Sequence, residues 1–269
     1  MEMLGLPSWP LCRLVLLLYI TGGFSSLHEL LEELKGPMEV DDYTYHDPQK
    51  TISPHIEPLQ QAVDILTGNT NQISATAFEK NGDPCDALES AFLLAQQQVI
   101  EKELEKINSI LCAPCSCTLC CTGPKSDDLQ EYFEIPLSEH ELVQFDLNRI
   151  EDNRTITTTA PEAEKKWPFY KDSPALFHWS SGWSLILPKE SSCPNLSKEG
   201  RCKIYENRPY VCKKPQIFSY VLEKQNDKLI KQEKLLAITD CPYVKNLKEE
   251  IAKYGRLCGL EVVFSRNKI

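Results

Sequence analysis

A helical repeat of apolar residues is the longest regular pattern in this chain. Between Ala87 and Leu111 the apolar side chains recur every three or four residues, which predicts an amphipathic helix that packs on a core or on a second copy. Asp83 as N-cap and Pro84 as the first helical residue are predicted to begin this helix, and Pro114 is predicted to end it.

Shorter patterns with the helical period of 3.6 residues or the strand period of two residues follow this helix. Ser138 and Glu141 have the spacing of a capping box, which predicts a short helix that ends near Asp152. The other expected elements are one or two strands at 175–187, a hairpin at 217–238 that turns at 225–227, a helix at 243–257 and a strand at 261–264. The sequence therefore predicts an α+β fold, a small irregular body with short strands that is preceded by a long amphipathic helix.

Composition divides the chain into two predicted domains. Residues 1–83 are predicted to be an acidic, loosely structured leader, in which residues 36–83 are rich in Pro, Asp, Asn, Thr and Gly around one short helix near Pro58–Leu66. Residues 84–269 are predicted to form a domain of the helix and a cysteine region whose core spans 112–258.

The charge is uneven as well. Residues 1–111 carry 6 Lys and Arg against 17 Asp and Glu, whereas residues 112–269 carry 23 against 22. Nucleic-acid binding needs clustered Lys and Arg, so none is expected. Any protein partner is expected at the acidic half or at the 84–111 helix.

A possible apolar segment lies at residues 11–20. Its run Leu14–Ile20 follows Arg13 and is too short for a transmembrane helix, so no integral membrane span is expected. Residues 11–23 also have some features of a secretory signal, and Met38 is an alternative start. The sequence leaves open whether residues 1–37 are present in the mature protein.

Five of the chain's twelve cysteines lie within ten residues, in the run Cys-Ala-Pro-Cys-Ser-Cys-Thr-Leu-Cys-Cys that begins at residue 112. An odd number cannot pair locally, and a chain of 269 residues is long enough to fold without disulfides. The short spacings let a tight turn aim two sulfurs at one ion, so a thiolate-bound metal is the favoured interpretation. The predicted ligands in this run are Cys112, Cys115, Cys117, Cys120 and Cys121.

A second group of cysteines lies downstream. Cys193, Cys202 and Cys212 lie within twenty residues, and Cys241 precedes the last predicted helix. His178 is expected to be a packed side chain rather than a ligand. An all-thiolate set suits zinc or an iron–sulfur cluster and excludes magnesium and calcium, and the sequence does not choose between the first two.

Adjacent cysteines allow a further expectation. Because neighbouring residues of an extended backbone point in opposite directions, Cys120 and Cys121 are expected to serve different metals or a bridged pair. Residues 188–245 are rich in charge and poor in apolar periodicity, so a bound metal is expected to supply much of their order.

The chain resembles the YkgJ-type cysteine-cluster proteins, a zinc- or iron-chelating family, through two motifs. The first is the front run ending in Cys-x-x-Cys-Cys, and the second is Cys-x-Ile-Tyr-Glu-x-Arg-Pro-x-x-Cys from Cys202 to Cys212. The resemblance covers about Cys112 to Tyr254 and implies about eight cysteine ligands, four from each set, in a cytoplasmic protein. The family's first front cysteine corresponds to Pro114 here, so both Cys112 and Cys115 are candidates for that ligand.

Residues near the rear cysteines are assigned supporting roles. Arg208 is expected to donate to thiolates or backbone carbonyls, and Lys213 is expected to offset thiolate charge. Three remaining cysteines are expected to be bystanders with no metal role, namely Cys12, Cys85 and Cys258.

The predicted function is metal binding, with zinc or an iron–sulfur cluster in a structural or redox role. One alternative is a cluster-dependent redox or protein-modifying enzyme, although the chain lacks a Gly-rich nucleotide loop and no catalytic residue is predicted. The other is a secreted disulfide-rich protein, for which Asn153 and Asn195 stand in glycosylation tripeptides. The expected location is the cytoplasm, or outside the cell if residues 11–23 are a signal.

Overall fold

The computed structural model describes residues 2–68, 76–115, 118, 120–127, 129–170, 173–213, 216–225 and 227–265. In these residues the helices are α1 (Glu2–Gly5), α2 (Trp9–Gly22), α3 (Leu27–Glu33), α4 (Pro48–Ile52), α5 (Ile56–Leu66), α6 (Ala87–Cys115), α7 (Ala160–Glu164), α8 (Tyr210–Lys213), α9 (Pro242–Asn246) and α10 (Lys248–Leu257). The strands are β1 (Met38–Val40), β2 (Tyr43–Tyr45), β3 (Ala77–Phe78), β4 (Tyr132–Leu137), β5 (Arg149–Ile150), β6 (Ala175–Trp179), β7 (Gly182–Pro188), β8 (Ile217–Gln225), β9 (Lys228–Ile238) and β10 (Glu261–Ser265). Short 3₁₀ helices span Ser53–His55, Glu139–Gln144 and Tyr205–Asn207. The predicted α+β class is confirmed.

The chain folds into two compact units. The first unit contains residues 1–108 and 216–269, and the second contains residues 109–215. The boundary predicted after residue 83 lies inside the first unit. Helices α1–α5 and strands β1–β3 occupy the part of the chain that was expected to be loose, and α5 matches the one helix expected there.

Helices α2, α6 and α10 supply much of the core of the first unit. On α2 the apolar side chains at helical spacing are fully buried, in particular Leu11, Cys12, Val15 and Leu16. The predicted long amphipathic helix is confirmed as α6, and its stripe is buried from Ala95 to Ile107, whereas Leu88 is exposed.

The predicted start of α6 is wrong by three residues. The N-cap is Asp86, whose carboxylate accepts a hydrogen bond of 2.7 Å from the Glu89 backbone amide. Cys85 precedes the helix, and its amide donates to the carbonyl of Ala77 at 2.8 Å. Pro84 likewise pairs with β3 in an isolated bridge. Pairing with β3 holds this segment extended, and helix formation is therefore delayed to Ala87.

A buried carboxylate ties three helices of the first unit together. Glu103 on α6 accepts hydrogen bonds from the Ser8 amide at 3.0 Å, the Ser8 hydroxyl at 2.7 Å and the Tyr254 hydroxyl at 2.6 Å. Burial raises the pKa of Glu103, although these bonds partly offset the effect. Ser8 precedes α2 and Tyr254 lies on α10, so the sequence near the N-terminus is bonded to the centre of this unit.

Strand β9 is the centre of the sheet in the first unit. It pairs antiparallel with β8, which confirms the predicted hairpin, and parallel with β3 and β10. The expected strand at 261–264 is confirmed as β10. The helix expected at 243–257 is broken at Leu247 into α9 and α10.

The second unit is built on a four-stranded sheet in the order β4-β7-β6-β5. The predicted strands at 175–187 are confirmed as β6 and β7. One face packs on an aromatic cluster that includes Phe169, Phe177 and Trp179. The other face packs on an aliphatic cluster that includes Leu185 and Leu187, and this second face supports the cysteines.

Two local predictions in the second unit need correction. The capping box is confirmed, since the Ser138 amide donates to Glu141 at 2.8 Å, but the helix is a 3₁₀ helix that ends at Gln144. Strand β5 follows it because residues 149–150 pair with β6. Helix α7, which the sequence pattern did not predict, follows and begins with a capping box between Thr159 and Glu162.

No single helix among the described residues is long and apolar enough to cross a membrane. The pair α2 and α3, which meet at a bend of 109°, reaches that length and hydropathy only when the two helices are joined.

Candidate metal centre

The second unit contains eight of the twelve cysteines. Among the predicted ligands in this unit, the side chains described are those of Cys112, Cys120, Cys121, Cys193, Cys202 and Cys212, all partly buried. Cys117 and the side chain of Cys115 lie outside the described residues. The ten cysteines described in the whole chain are thiols rather than disulfides.

A short antiparallel ladder joins the front cysteine run to the rear group. The Cys193 amide donates to the Cys121 carbonyl at 2.8 Å, and the Gly123 amide donates to the Ser191 carbonyl at 2.9 Å. The two cysteine sets meet at this ladder, and Cys121 and Cys193 lie at one end of it.

Glycine at position 123 permits the ladder to form beside β7. A Cβ atom on this residue would lie 1.8 Å from the carbonyl oxygen of Pro188, which is a backbone atom and cannot rotate away. The sequence gives little warning of this contact, because Gly123 stands in a Gly-Pro pair typical of any turn.

Gly123→Ala is therefore expected to weaken both the second unit and its metal binding. Forcing a methyl group into a packed site costs about 1–3 kcal/mol, and the displaced backbone here carries Cys121. Urea unfolding and chelator competition measure the two effects. Gly5→Ala is the matched control, because nothing lies within 4 Å of a Cβ at Gly5. A Gly123→Ala protein with unchanged metal affinity would contradict the expectation.

The adjacent cysteines lie on the same side of the chain. The Cys121 amide donates to the Thr118 carbonyl at 2.7 Å, so the backbone turns here, and the sulfurs of Cys120 and Cys121 are 3.8 Å apart. The premise of an extended backbone with side chains in opposite directions is therefore wrong, whereas the expectation of different metals or a bridged pair stays a prediction. Tetrahedral coordination at ~2.3 Å places ligand sulfurs about 3.8 Å apart. This pair of sulfurs therefore has the spacing that one tetrahedral ion requires.

Cys193 begins a tight turn whose amides face its own sulfur. The Leu196 amide donates to the Cys193 carbonyl at 2.9 Å and closes the turn. The amides of Asn195 and Leu196 also donate to the Cys193 sulfur. Amide donors favour the thiolate over the thiol, and here they partly offset the burial that raises the pKa of Cys193.

The next cysteine returns to this turn through a small hairpin. Cys202 pairs antiparallel with Leu196, and the Lys203 amide donates to the Asn195 carbonyl at 2.8 Å. Cys202 is therefore held beside the turn that Cys193 begins.

Cys212 lies on the short helix α8. Its amide donates to the Pro209 carbonyl at 2.8 Å, which forms the first turn of this short helix. Cys212 and Cys193 both pack on the aliphatic cluster below the sheet face. Both rear cysteines are therefore positioned by contacts with one aliphatic cluster.

Arg208 connects α8 to the end of α6 that lies in the second unit. Its guanidinium donates to the Tyr205 carbonyl at 2.8 Å, the Ser109 hydroxyl at 3.0 Å and the Cys212 carbonyl at 3.4 Å, and it stacks on the Tyr205 ring at 3.8 Å. The Tyr205 hydroxyl donates to the Ser109 carbonyl. Arg208 thus bonds backbone carbonyls as expected. Lys213 ends α8 directly after Cys212, and its charge-offsetting role stays a prediction.

The hydrogen bonds of Ser109 with Tyr205 and Arg208 also bring the part of α6 that carries Cys112 towards the rear segment. Cys112 follows Ser109 by three residues on α6, and burial raises the pKa of the Tyr205 hydroxyl, to which a Cys112 thiolate adds. Cys112 is one of the two candidates for the fourth front ligand, and the choice between it and Cys115 stays open.

The thiols of the second unit influence one another strongly. A hydrogen bond with Cys120 raises the pKa of Cys121, and burial and the charges of Cys193 and Cys212 raise it further. Burial also raises the pKa of Cys193, as do Cys202 and Cys120, against the lowering effect of the amide donors. Several thiolates can therefore coexist here only if a cation offsets their repulsion, which is what a bound metal ion supplies.

No three of the thiols described in the second unit have sulfurs that all lie within 4.8 Å of one another. In the described residues that separation is met instead by Glu79, Cys85 and Glu89 in the first unit. The ammonium of Lys231 lies 3.1 Å from Glu79 and 2.5 Å from Glu89. The lysine already compensates these acids, so this group gives no argument for a metal ion.

Four cysteines lie in the first unit. Cys241, a predicted ligand, is buried at the start of α9, where its carbonyl accepts from the Lys245 amide at 3.0 Å, and its role as a ligand stays a prediction. Burial raises the pKa of Cys12 and Cys258, and it raises the pKa of Cys85 to about 11. Buried thiols that stay protonated are poor ligands, which agrees with the bystander role expected for these three.

Two polar residues in the second unit are already engaged. The Nδ1 atom of His178 lies 2.9 Å from a Glu151 carboxylate oxygen, and its ring stacks on Trp183 at 4.5 Å, as expected for a packed side chain. The Asn195 side-chain amide donates to the Gln144 carbonyl at 3.0 Å, so this potential glycosylation site is used inside the fold.

The model of the CxxCxxCC family, described as "Putative zinc- or iron-chelating domain", matches residues 111–246. The match covers half of the chain and includes both cysteine sets. No curated protein and no solved structure matches the chain.

Proposed function

The chain belongs to the CxxCxxCC family, and from this premise we propose that its second unit holds a zinc or iron ion in a structural role. The proposed ligands are Cys120, Cys121 and Cys193, with Cys212 or Cys202 as the fourth. The observation that carries this proposal is the ladder that joins the Cys121 carbonyl to the Cys193 amide at 2.8 Å.

The chemistry of these residues suits such an ion. Thiolate sulfur is a soft ligand that selects zinc and iron over magnesium and calcium. The spacing of 3.8 Å between the sulfurs of Cys120 and Cys121 supports one tetrahedral ion rather than a ligand pair split between two distant metals. When bound, the metal would cross-link the two cysteine sets.

The segments that carry the thiols support a structural role. Residues 120–127 and 189–213 contain isolated bridges, a 3₁₀ helix and the four-residue α8, and no strand of the main sheet. A metal cross-link is a common source of stability for segments with so little regular secondary structure. A full set of thiolate ligands also leaves no open position for substrate, as in structural zinc sites.

Metal and acid-labile sulfide analysis of protein purified without oxygen tests the proposal. We expect about one equivalent of zinc or iron and no acid-labile sulfide, as a single tetrahedral ion requires. Iron with an equal amount of acid-labile sulfide would show that the site holds an iron–sulfur cluster rather than the proposed single ion. Protein that is free of metal and cannot be loaded with zinc or ferrous iron would overturn the proposal.

Cysteine substitutions locate the ligands. Cys121→Ser and Cys193→Ser are each expected to lose the metal equivalent, and Cys202→Ser and Cys212→Ser decide the fourth ligand. Cys85→Ser is the matched control, because this thiol lies in the first unit beside acids that Lys231 already neutralises. Equal metal content in all five variants would contradict the ligand assignment.

A further inference from the structure

The 3₁₀ helix Glu139–Gln144 is bonded at both ends to segments that carry cysteines. Near its start, Glu141 accepts a hydrogen bond of 2.6 Å from the Tyr210 amide, the first residue of α8. At its end, the Gln144 carbonyl accepts a bond of 3.0 Å from the Asn195 side chain in the Cys193 turn. One rigid turn of chain therefore contacts both rear cysteine segments.

Glu141 is built into the fold rather than placed at its surface. Its residue is only 6 % exposed, and its second carboxylate oxygen accepts from the Ser138 amide at 2.8 Å. Burial alone would raise the pKa of Glu141, but the bonds from Ser138 and the Tyr210 amide outweigh it and hold the pKa below its ordinary value. One oxygen of this ionised carboxylate thus closes the capping box of its own helix, and the other joins the helix to α8.

The helix itself has a fixed position. Leu142 is 2 % exposed and belongs to the aliphatic cluster on which Cys193 and Cys212 pack. Anchored there, the helix cannot shift without disturbing the base of the site. The distance between its two bonded ends is set by the six residues of Glu139–Gln144.

We propose that this 3₁₀ helix is a brace that fixes the separation of Cys193 and Cys212 before metal binds, with Glu141 as its positioning residue. Glu141 acts through the Tyr210 amide, since holding the start of α8 holds Cys212 two residues later. Asn195 performs the same task at the other end. This inference rests on the proposed metal site and adds residues to it that bear no thiol.

The brace is tested by metal affinity and by the metal-free fold together. Glu141→Ala is expected to lower metal affinity about 10- to 100-fold, the range typical of residues that orient ligands. Glu141→Gln retains one acceptor oxygen and is expected to recover part of the loss. Glu139→Ala, an exposed position on the same helix, is the control and should bind as the parent does.

Hydrogen exchange in the metal-free protein supplies a second measurement. The Tyr210 amide is expected to exchange faster in Glu141→Ala, while amides of β6 and β7 keep their protection. Asn195→Ala should lower metal affinity in the same direction, and it provides an independent test if Glu141→Ala fails to fold. Because both act through one helix, the double variant is expected to lose less than the sum of the two.

The outcomes separate the brace from the metal site. A parent protein that binds no metal would overturn both the proposed function and the brace. A parent that binds metal, with Glu141→Ala and Asn195→Ala binding within twofold of it, would overturn the brace alone. General unfolding of β6 and β7 in Glu141→Gln and Asn195→Ala would also overturn it, since Glu141 would then support the whole unit rather than position Cys212.

Discussion

Deletion of residues 1–37 is expected to destroy the folded first unit. The deleted segment contains α2 and α3, whose buried apolar residues include Leu11, Val15, Leu16, Leu27 and Leu30. Burial of each such side chain contributes about 1.5–3 kcal/mol, so the loss is on the order of 10 kcal/mol. A whole domain is stable by only about 5–15 kcal/mol.

The deletion also removes partners of two buried polar groups. Glu103 would lose the Ser8 amide and hydroxyl, and the Tyr45 hydroxyl would lose the Pro7 carbonyl, which it reaches at 2.7 Å. An unsatisfied buried polar group costs about 1–3 kcal/mol more. A chain that began at Met38, or was cleaved after Gly23, would face the same losses.

Thermal unfolding followed by circular dichroism checks this prediction. Two point variants separate packing from simple shortening of the chain. Leu11→Ala is expected to cost about 2–5 kcal/mol because Leu11 is fully buried. Leu17→Ala on the same helix should cost less than about 0.5 kcal/mol because Leu17 is 40 % exposed. A truncated chain with an unchanged melting temperature would refute the assignment of α2 to the core.

Composition predicted a loosely structured N-terminal segment, whereas this segment is folded. An apolar run of seven residues behind one arginine resembles a signal segment, and its surroundings are rich in residues that favour loops. The deciding contact joins Ser8 to Glu103, 95 residues away in sequence, and Glu103 is bonded in turn to Tyr254. Local patterns carry no information on such partners.

Elements with strong local signals were predicted well. Strand β8 alternates in burial along Ile217–Leu222, the β8–β9 hairpin turns at polar residues, and α6 has a buried apolar stripe. Errors arose where a distant strand competed with local preference. Cys85 has a good helical context, yet its amide pairs with Ala77, and residues 149–150 leave the predicted helix to pair with β6.

The candidate site was predictable in its residue types but not in its geometry. Dense cysteines indicated a thiolate site from sequence alone. The turn at Thr118 that brings the sulfurs of Cys120 and Cys121 together, and the second bond of Glu141, depend on tertiary contacts. A capping box predicts the hydrogen bond from the Ser138 amide to one oxygen of Glu141, but it does not predict the bond from the Tyr210 amide to the other oxygen.

Removal of the metal is expected to loosen residues 189–213 and leave the first unit folded. The proposed site holds this segment through Cys193 and Cys212, and structural zinc contributes on the order of 10 kcal/mol in small domains. The metal-dependent region expected from the sequence, residues 188–245, is too long at its C-terminal end. Residues 217–238 form the hairpin of the first unit, where Ile217, Leu235 and Leu236 are buried without any metal.

Limited trypsin digestion and hydrogen exchange, with and without a chelator, measure the effect. Lys198 and Arg201 are exposed in the hairpin between Cys193 and Cys202, and cleavage there needs local opening of that hairpin. We expect rapid cleavage at these residues once metal is removed, while the amides of β8 and β9 keep their protection. Cys193→Ser should reproduce this pattern without chelator, and Cys12→Ser should not. Metal-free protein that resists trypsin at Lys198 as well as the loaded protein does would show that the second unit holds its cysteines in place by packing alone, with the metal as an addition to a finished fold.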